Sequence, residues 1–181
     1  MKKLFVLLAL FSPLTMAHNI QLNQGLPNVT VVEDGELIKK NNDIIYQEWN
    51  SRSLAGKVRV VNHFAGRSDA KEKNSALIEA IRNAHFNRST YQTTTIINVD
   101  DSTFGTGVFV KSKAKKGKLK NAHSQVVLDQ NGTVKKAWNL KPKDNFVAVL
   151  DKNGKVKFVF DGKLSASQIN QVIQLVKQLT H

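Results

Sequence analysis

Between residues 54 and 84 the chain passes from an unbroken apolar run into a stripe with helical spacing. Val58, Val60, Val61 and Phe64 stand in a run with few polar interruptions, which predicts a central strand from Val58 to Ala65 covered on both faces. After the turn Gly66-Arg67-Ser68-Asp69, Leu77, Ile78, Ile81 and Ala84 fall on one side of a helix expected over residues 70–84. Asp69 and Glu72 have the spacing of a reciprocal cap at its start, worth about 1 kcal/mol. The remaining pattern is arranged around this unit. Val29 to Val32 and Glu36 to Ile38 flank Asp34-Gly35 and predict an amino-terminal β-ribbon turning at that dipeptide. Residues 44–54 predict a short strand or a turn of helix, and the β-branched Thr93 to Val99 a second central strand. Two echoing segments, VVLDQNGTVKKAW from Val126 and AVLDKNGKVKFVF from Ala148, set Asn-Gly between apolar runs and predict two hairpins. Neither copy has the further oxygen ligands or the twelfth-position Glu of a calcium loop. Ser165 and Gln168 form a capping box before Ile169, Val172, Ile173, Val176 and Leu179, so the chain closes on a packed helix.

The first residues follow a different pattern. Lys2-Lys3, the run LFVLLALFSPL and Thr15-Met16-Ala17 have the charged, apolar and small-residue regions of a cleavable secretory signal over residues 1–17. The expected product is a single periplasmic domain, residues 18–181, of a size that buries its own core. No stretch in it approaches the roughly 20 apolar residues of a membrane-spanning helix. Loss of Lys2 and Lys3 lowers the basic count from 27 to 25 against 14 acids, a formal net charge of about +11, which favours anionic neighbours. There is no cysteine, so thiol redox chemistry and disulfides are excluded.

The local wording resembles a known superfamily. GKVRVVNHFAG is similar to the segment that precedes the redox C-x-x-C of thioredoxin-like proteins, and NFVAVLDKNGKVKFVFDG to their later hairpin. More narrowly, AGRSDAKEKNSALIEAI, YQTTTIINVDD and LDKNGKV resemble the YtfJ-type family of small periplasmic proteins. The resemblance implies an α/β thioredoxin-like fold: a central mixed sheet flanked by helices, with the β-ribbon at its amino terminus. It also implies that Ser68 and Lys71 replace the two cysteines and that Asn145 stands where the superfamily has its cis-proline, with Pro142 three residues earlier. It assigns no activity.

Candidate chemistry is sparse. Ionising a serine hydroxyl at neutral pH needs roughly 8 pKa units, or ~11 kcal/mol, against at most ~2 kcal/mol from a helix terminus. Ser68 as a nucleophile therefore requires a base, and His63, the nearest in sequence, occupies a core strand position. Arg67, Ser68, Lys71 and the backbone N–H groups of the first helical turn instead suggest a site for a phosphate or carboxylate, opposed by Asp69. Residues 111–120 hold six lysines and no acid, and predict a solvated loop or a short exposed helix. The absence of interleaved aromatics argues against nucleic acid and leaves lipopolysaccharide phosphates or an acidic partner. His18 as an amino terminus offers a copper chelate, while the other histidines lack ligand spacing, and neither a metal nor a cofactor is expected. Arg59, in the central strand, calls for an acidic partner or the strand's rim. The expected role is a non-catalytic module for a periplasmic protein or a small anion, with non-thiol catalysis at residues 66–71 or general polyanion binding as the rivals.

Overall fold

The computed structural model describes residues 18–181, so the signal sequence expected over residues 1–17 lies outside the described residues. One seven-stranded mixed sheet organises the chain: β1 (Thr30–Lys40), β2 (Asp43–Asn50), β3 (Val58–Ala65), β4 (Tyr91–Asn98), β5 (Gln125–Asp129), β6 (Asn145–Leu150) and β7 (Val156–Asp161). Their spatial order is β2-β1-β5-β4-β3-β6-β7. Strands β3, β4 and β5 run parallel, and the outer pairs on either side are antiparallel. β3 is buried at all eight positions, as its apolar run requires of a strand with helices on both faces. On one face Val58, Val60, Val147 and Val149 pack beneath α2 (Ser75–Ala84) and α5 (Ala166–Thr180). On the other, Val61, Ile96, Val127 and Phe146 meet Val134 and Trp138 of α4 (Thr133–Trp138). The capping box of Ser165 and Gln168 forms, and the Val172 and Val176 stripe is fully buried.

Four sequence expectations resolve differently. Asp34-Gly35 is not a hairpin turn: β1 continues through it, and residues 32–35 bow out opposite Glu48 between the pairs Val31↔Trp49 and Glu36↔Gln47. The dipeptide does take the positive φ that suits it, 63° and 71°, but as a bulge that lets β1 reach both β2 and β5. The chain reverses instead between Lys40 and Asp43.

The first Asn-Gly segment is not a hairpin either. β5 already has β4 on one side and β1 on the other, so no edge is free for a returning strand, and the chain enters α4. Asp129, wholly buried, accepts from the N–H groups of Thr133 (2.9 Å) and Val134 (2.8 Å) at that helix start. The second copy, β6 to β7, is the expected hairpin.

The helix expected over residues 70–84 is two helices, α1 (Ser68–Glu72) and α2, with a break at Lys73-Asn74. The cause is Asn74: its buried side chain donates to Asn62 on β3 and accepts from Asn145 on β6 (2.7 Å), which holds the backbone out of helical register.

The lysine run belongs to a 14-residue helix, α3 (Gly107–Lys120), and is less solvated than expected. Lys118 is buried, its Nζ donating to Ala122 O (3.0 Å) and Ser124 O (2.6 Å) beyond the helix end. Arg59 gains its explanation: it caps the 3-10 turn at Ser51–Leu54 through Leu54 O (2.7 Å) and Ser53 O (3.0 Å), and meets Gln92, Thr94 and Gln125. Gln125 in turn donates to Glu36, the acid whose charge offsets the burial that lowers the Arg59 pKa.

Candidate functional site

The strand-to-helix turn sits at the carboxyl end of β3. Gly66 N–H donates to Asn98 O (2.8 Å) at the end of β4, and a Cβ at this position would stand 3.2 Å from Asn98 O and Ser102 Cβ and 3.3 Å from Val110 Cγ1, so a larger residue requires these neighbours to give way. Arg67 then takes extended angles (φ −128°, ψ 148°) as the residue before α1, and its carbonyl receives Lys71 N–H (3.1 Å). No side chain caps this helix, so the expected Asp69–Glu72 reciprocal cap does not form. Asp69 lies inside the helix, two residues past the cap position held by Arg67, and its carboxylate faces Arg67 Nε at 3.4 Å. Ser68 and Lys71 are exposed. The structure thus brings Arg67, Ser68 and Lys71 onto one turn and engages the arginine with the acid that sequence reasoning set against the site.

Behind the turn lies a buried amide chain that sequence reasoning missed. Asn74 joins Asn62 to Asn145, and Asn145 also donates to Gly162 O (2.9 Å), tying α2, β3, β6 and the end of β7 together. Asn145, at the start of β6 opposite Phe64, leaves its own Oδ1 buried without a partner. The available signal was an asparagine within the apolar run of β3 and another at the head of that of β6, where a polar side chain needs a buried partner. Nearby, Lys73 pairs with Asp144, which holds that carboxyl below its ordinary range against the burial that would raise it.

The opposite face of β3 carries His63. Its ring is 2% exposed, its Nε2 has no partner, and burial lowers its pKa to about 4; the charge of Asp101 opposes the shift and that of Lys135 adds to it. Asp101 is itself fixed by Lys135 Nζ (2.7 Å), Lys143 N–H (3.0 Å) and Asn98 Nδ2 (3.1 Å), and the bonds from Lys135 and Lys143 outweigh its burial and keep its pKa low. A ring sealed in the core and a hydroxyl out in solvent do not make a nucleophile and base. His18 is likewise packed away: its ring meets Phe146 edge-on at 5.4 Å, its Nδ1 accepts from Ile20 N–H (3.3 Å) and its Nε2 lies 4.0 Å from Asp161 Oδ2, so the ring expected to serve a copper chelate is engaged within the fold. Among the described residues no three metal-ligating side chains converge.

Comparison with known proteins places this geometry. The family described as "Bacterial protein of unknown function (YtfJ_HI0045)" matches residues 20–179. The chain belongs to that family. A Haemophilus influenzae relative described as an uncharacterised protein is 58% identical over 171 residues, covering 94% of this chain and 93% of its own length. The YtfJ protein of Escherichia coli is 41% identical over 180 residues, covering 99% of this chain and 98% of its own. Among solved structures, a putative protein disulfide isomerase from Bacteroides thetaiotaomicron aligns with a TM-score of 0.61 at 15% identity, over 90% of this chain and 92% of that one. A putative thiol:disulfide interchange protein DsbE from Chlorobium tepidum aligns at 0.59 and 12%, over 90% and 99%. At these identities the likeness is one of fold, and the fold is thioredoxin-like. The chain carries that fold with no cysteine anywhere in its sequence.

Proposed function

We propose that this member of the YtfJ family is a periplasmic, non-catalytic binding module: a thioredoxin-like domain that uses the rim at the carboxyl end of β3 for recognition. The observation that carries the reading is the turn itself. Ser68 and Lys71 stand exposed at the helix start, while the one histidine near in sequence is buried and held neutral. Without a thiolate the rim lacks the nucleophile of disulfide exchange. The apolar run after Lys2-Lys3 supports export.

The chain recovered from an osmotic-shock fraction should begin at His18 and show no turnover in insulin-reduction or peroxidase assays. Turnover above the protein-free blank supports the rival enzyme reading and overturns this one, and a cytosolic chain retaining residues 1–17 overturns the compartment. The small-ligand part of the proposal is an anion at Arg67, Ser68 and Lys71, where an incoming carboxylate or phosphate displaces Asp69 from the arginine. Phosphate or a small dicarboxylate at 100 times its Kd should then stabilise the parent by ~2.7 kcal/mol, a few degrees in Tm. Arg67→Ala/Lys71→Ala should remove that shift. Equal shifts in parent and variant leave the turn as a helix start and nothing more.

A further inference from the structure

Helix α3 is built inside out. Its inward stripe is half-buried Val110 with buried Ala114 and Lys118, whereas Val108 and Phe109 point outward, 77% and 66% exposed. Phe104, in the loop just before, is fully exposed. Single exposed apolar residues are ordinary, but three within six positions, two of them aromatic, form a patch that calls for a partner. Lys113, Lys116 and Lys120 stand exposed on the same helix, and Lys115 lies over the Tyr46 ring at 5.1 Å. Asp34 is engaged with Lys111 of this helix (2.6 Å), Asp100 and Asp101, shortly before the Phe104 loop, with Lys135 (3.6 and 2.7 Å), and Glu36 with Gln125 (3.0 Å). Among the described residues no carboxylate lies within ion-pair reach of Lys113, Lys116 or Lys120.

We propose that α3 and the Phe104 loop form a peripheral contact with an anionic lipid bilayer. Charge and shape choose the occupant together. Three unpaired ammonium groups call for clustered negative charge, and a protruding phenylalanine is accommodated by a surface that deforms around it. An acidic protein would need a preformed hollow for the same ring. In this contact the phenylalanine rings sit at headgroup depth and the lysines reach the phosphates. The proposal goes beyond the reading of residues 66–71 and shares no side chain with it.

Vesicle co-sedimentation of residues 18–181, which hold every described element of the fold, is the test. The chain should sediment with phosphatidylglycerol vesicles, weakly with pure phosphatidylcholine, and less as salt rises. Lys113→Gln/Lys116→Gln/Lys120→Gln should weaken partitioning roughly 100-fold at low salt. Phe104→Ser/Phe109→Ser should weaken it by about tenfold or more while keeping the salt dependence. All five side chains are exposed, so unchanged thermal midpoints confirm that the variants fold. No sedimentation with phosphatidylglycerol overturns the proposal. Equal partitioning of the phenylalanine variant also overturns it, by reducing the face to a general polyanion contact.

Discussion

His63 stands in the middle of the chemistry without taking part in it. Burial depresses its pKa from 6.5 to about 4, so the folded state holds the ring neutral and the unfolded state takes the proton more readily. The stability this represents is complete above the unfolded value and is lost as pH falls from about 6.5 toward 4. Between pH 7.5 and pH 5 the parent should lose about 2 kcal/mol by denaturant unfolding, and His63→Phe should lose much less. A parent with no slope in that window contradicts the buried, unpaired ring. Other groups act elsewhere or in the opposite sense. Asp101 and Asp144, both lowered, lose their contribution only in more acid solution. Burial raises the Asp161 pKa against the pull of His18, so this carboxyl favours the folded state as pH falls. At this scale the sequence was informative about His63, whose core position followed from the strand pattern. It was silent about its neighbours, because Asp101, Lys135 and Lys143 reach each other from three separate segments.

Elements were legible wherever one face is apolar. β3, β4, the β6–β7 hairpin and α5 follow from their own residues, since period and capping are local properties. Glycine shows where locality ends. Gly35 has φ 71°, and a Cβ there would stand 2.2 Å from Gln47 O on β2, so Gly35→Ala meets both an unfavourable backbone region and a fixed strand. It should cost at least about 2 kcal/mol in thermal or urea unfolding. Gly117 lies inside α3 with nothing near its missing side chain, and Gly117→Ala should stabilise by about 0.5–1 kcal/mol. Opposite signs at two glycines separate the bulge from the helix. If both variants are neutral, β1 does not run past β2 as described.

For the whole molecule, the sequence alone determined the absence of thiol chemistry, the basic surplus, the buried central strand and the closing helix. Each depends on which residues are present or on how they repeat over a few turns. The tertiary structure decided what the turn signals meant. Asp34-Gly35 and Asn131-Gly132 carry the same local preference for positive φ, yet one became a bulge and the other a strand-to-helix junction. The sheet order made the difference: β1 and β5 are neighbours, which denies β5 a hairpin partner and requires β1 to serve two strands. It was also tertiary structure that broke one helical stripe into α1 and α2, because Asn74 finds Asn62 and Asn145 only once β3 and β6 are side by side. A preference for a backbone angle belongs to a residue, whereas the partner for a strand edge or a buried amide exists only after distant segments have met.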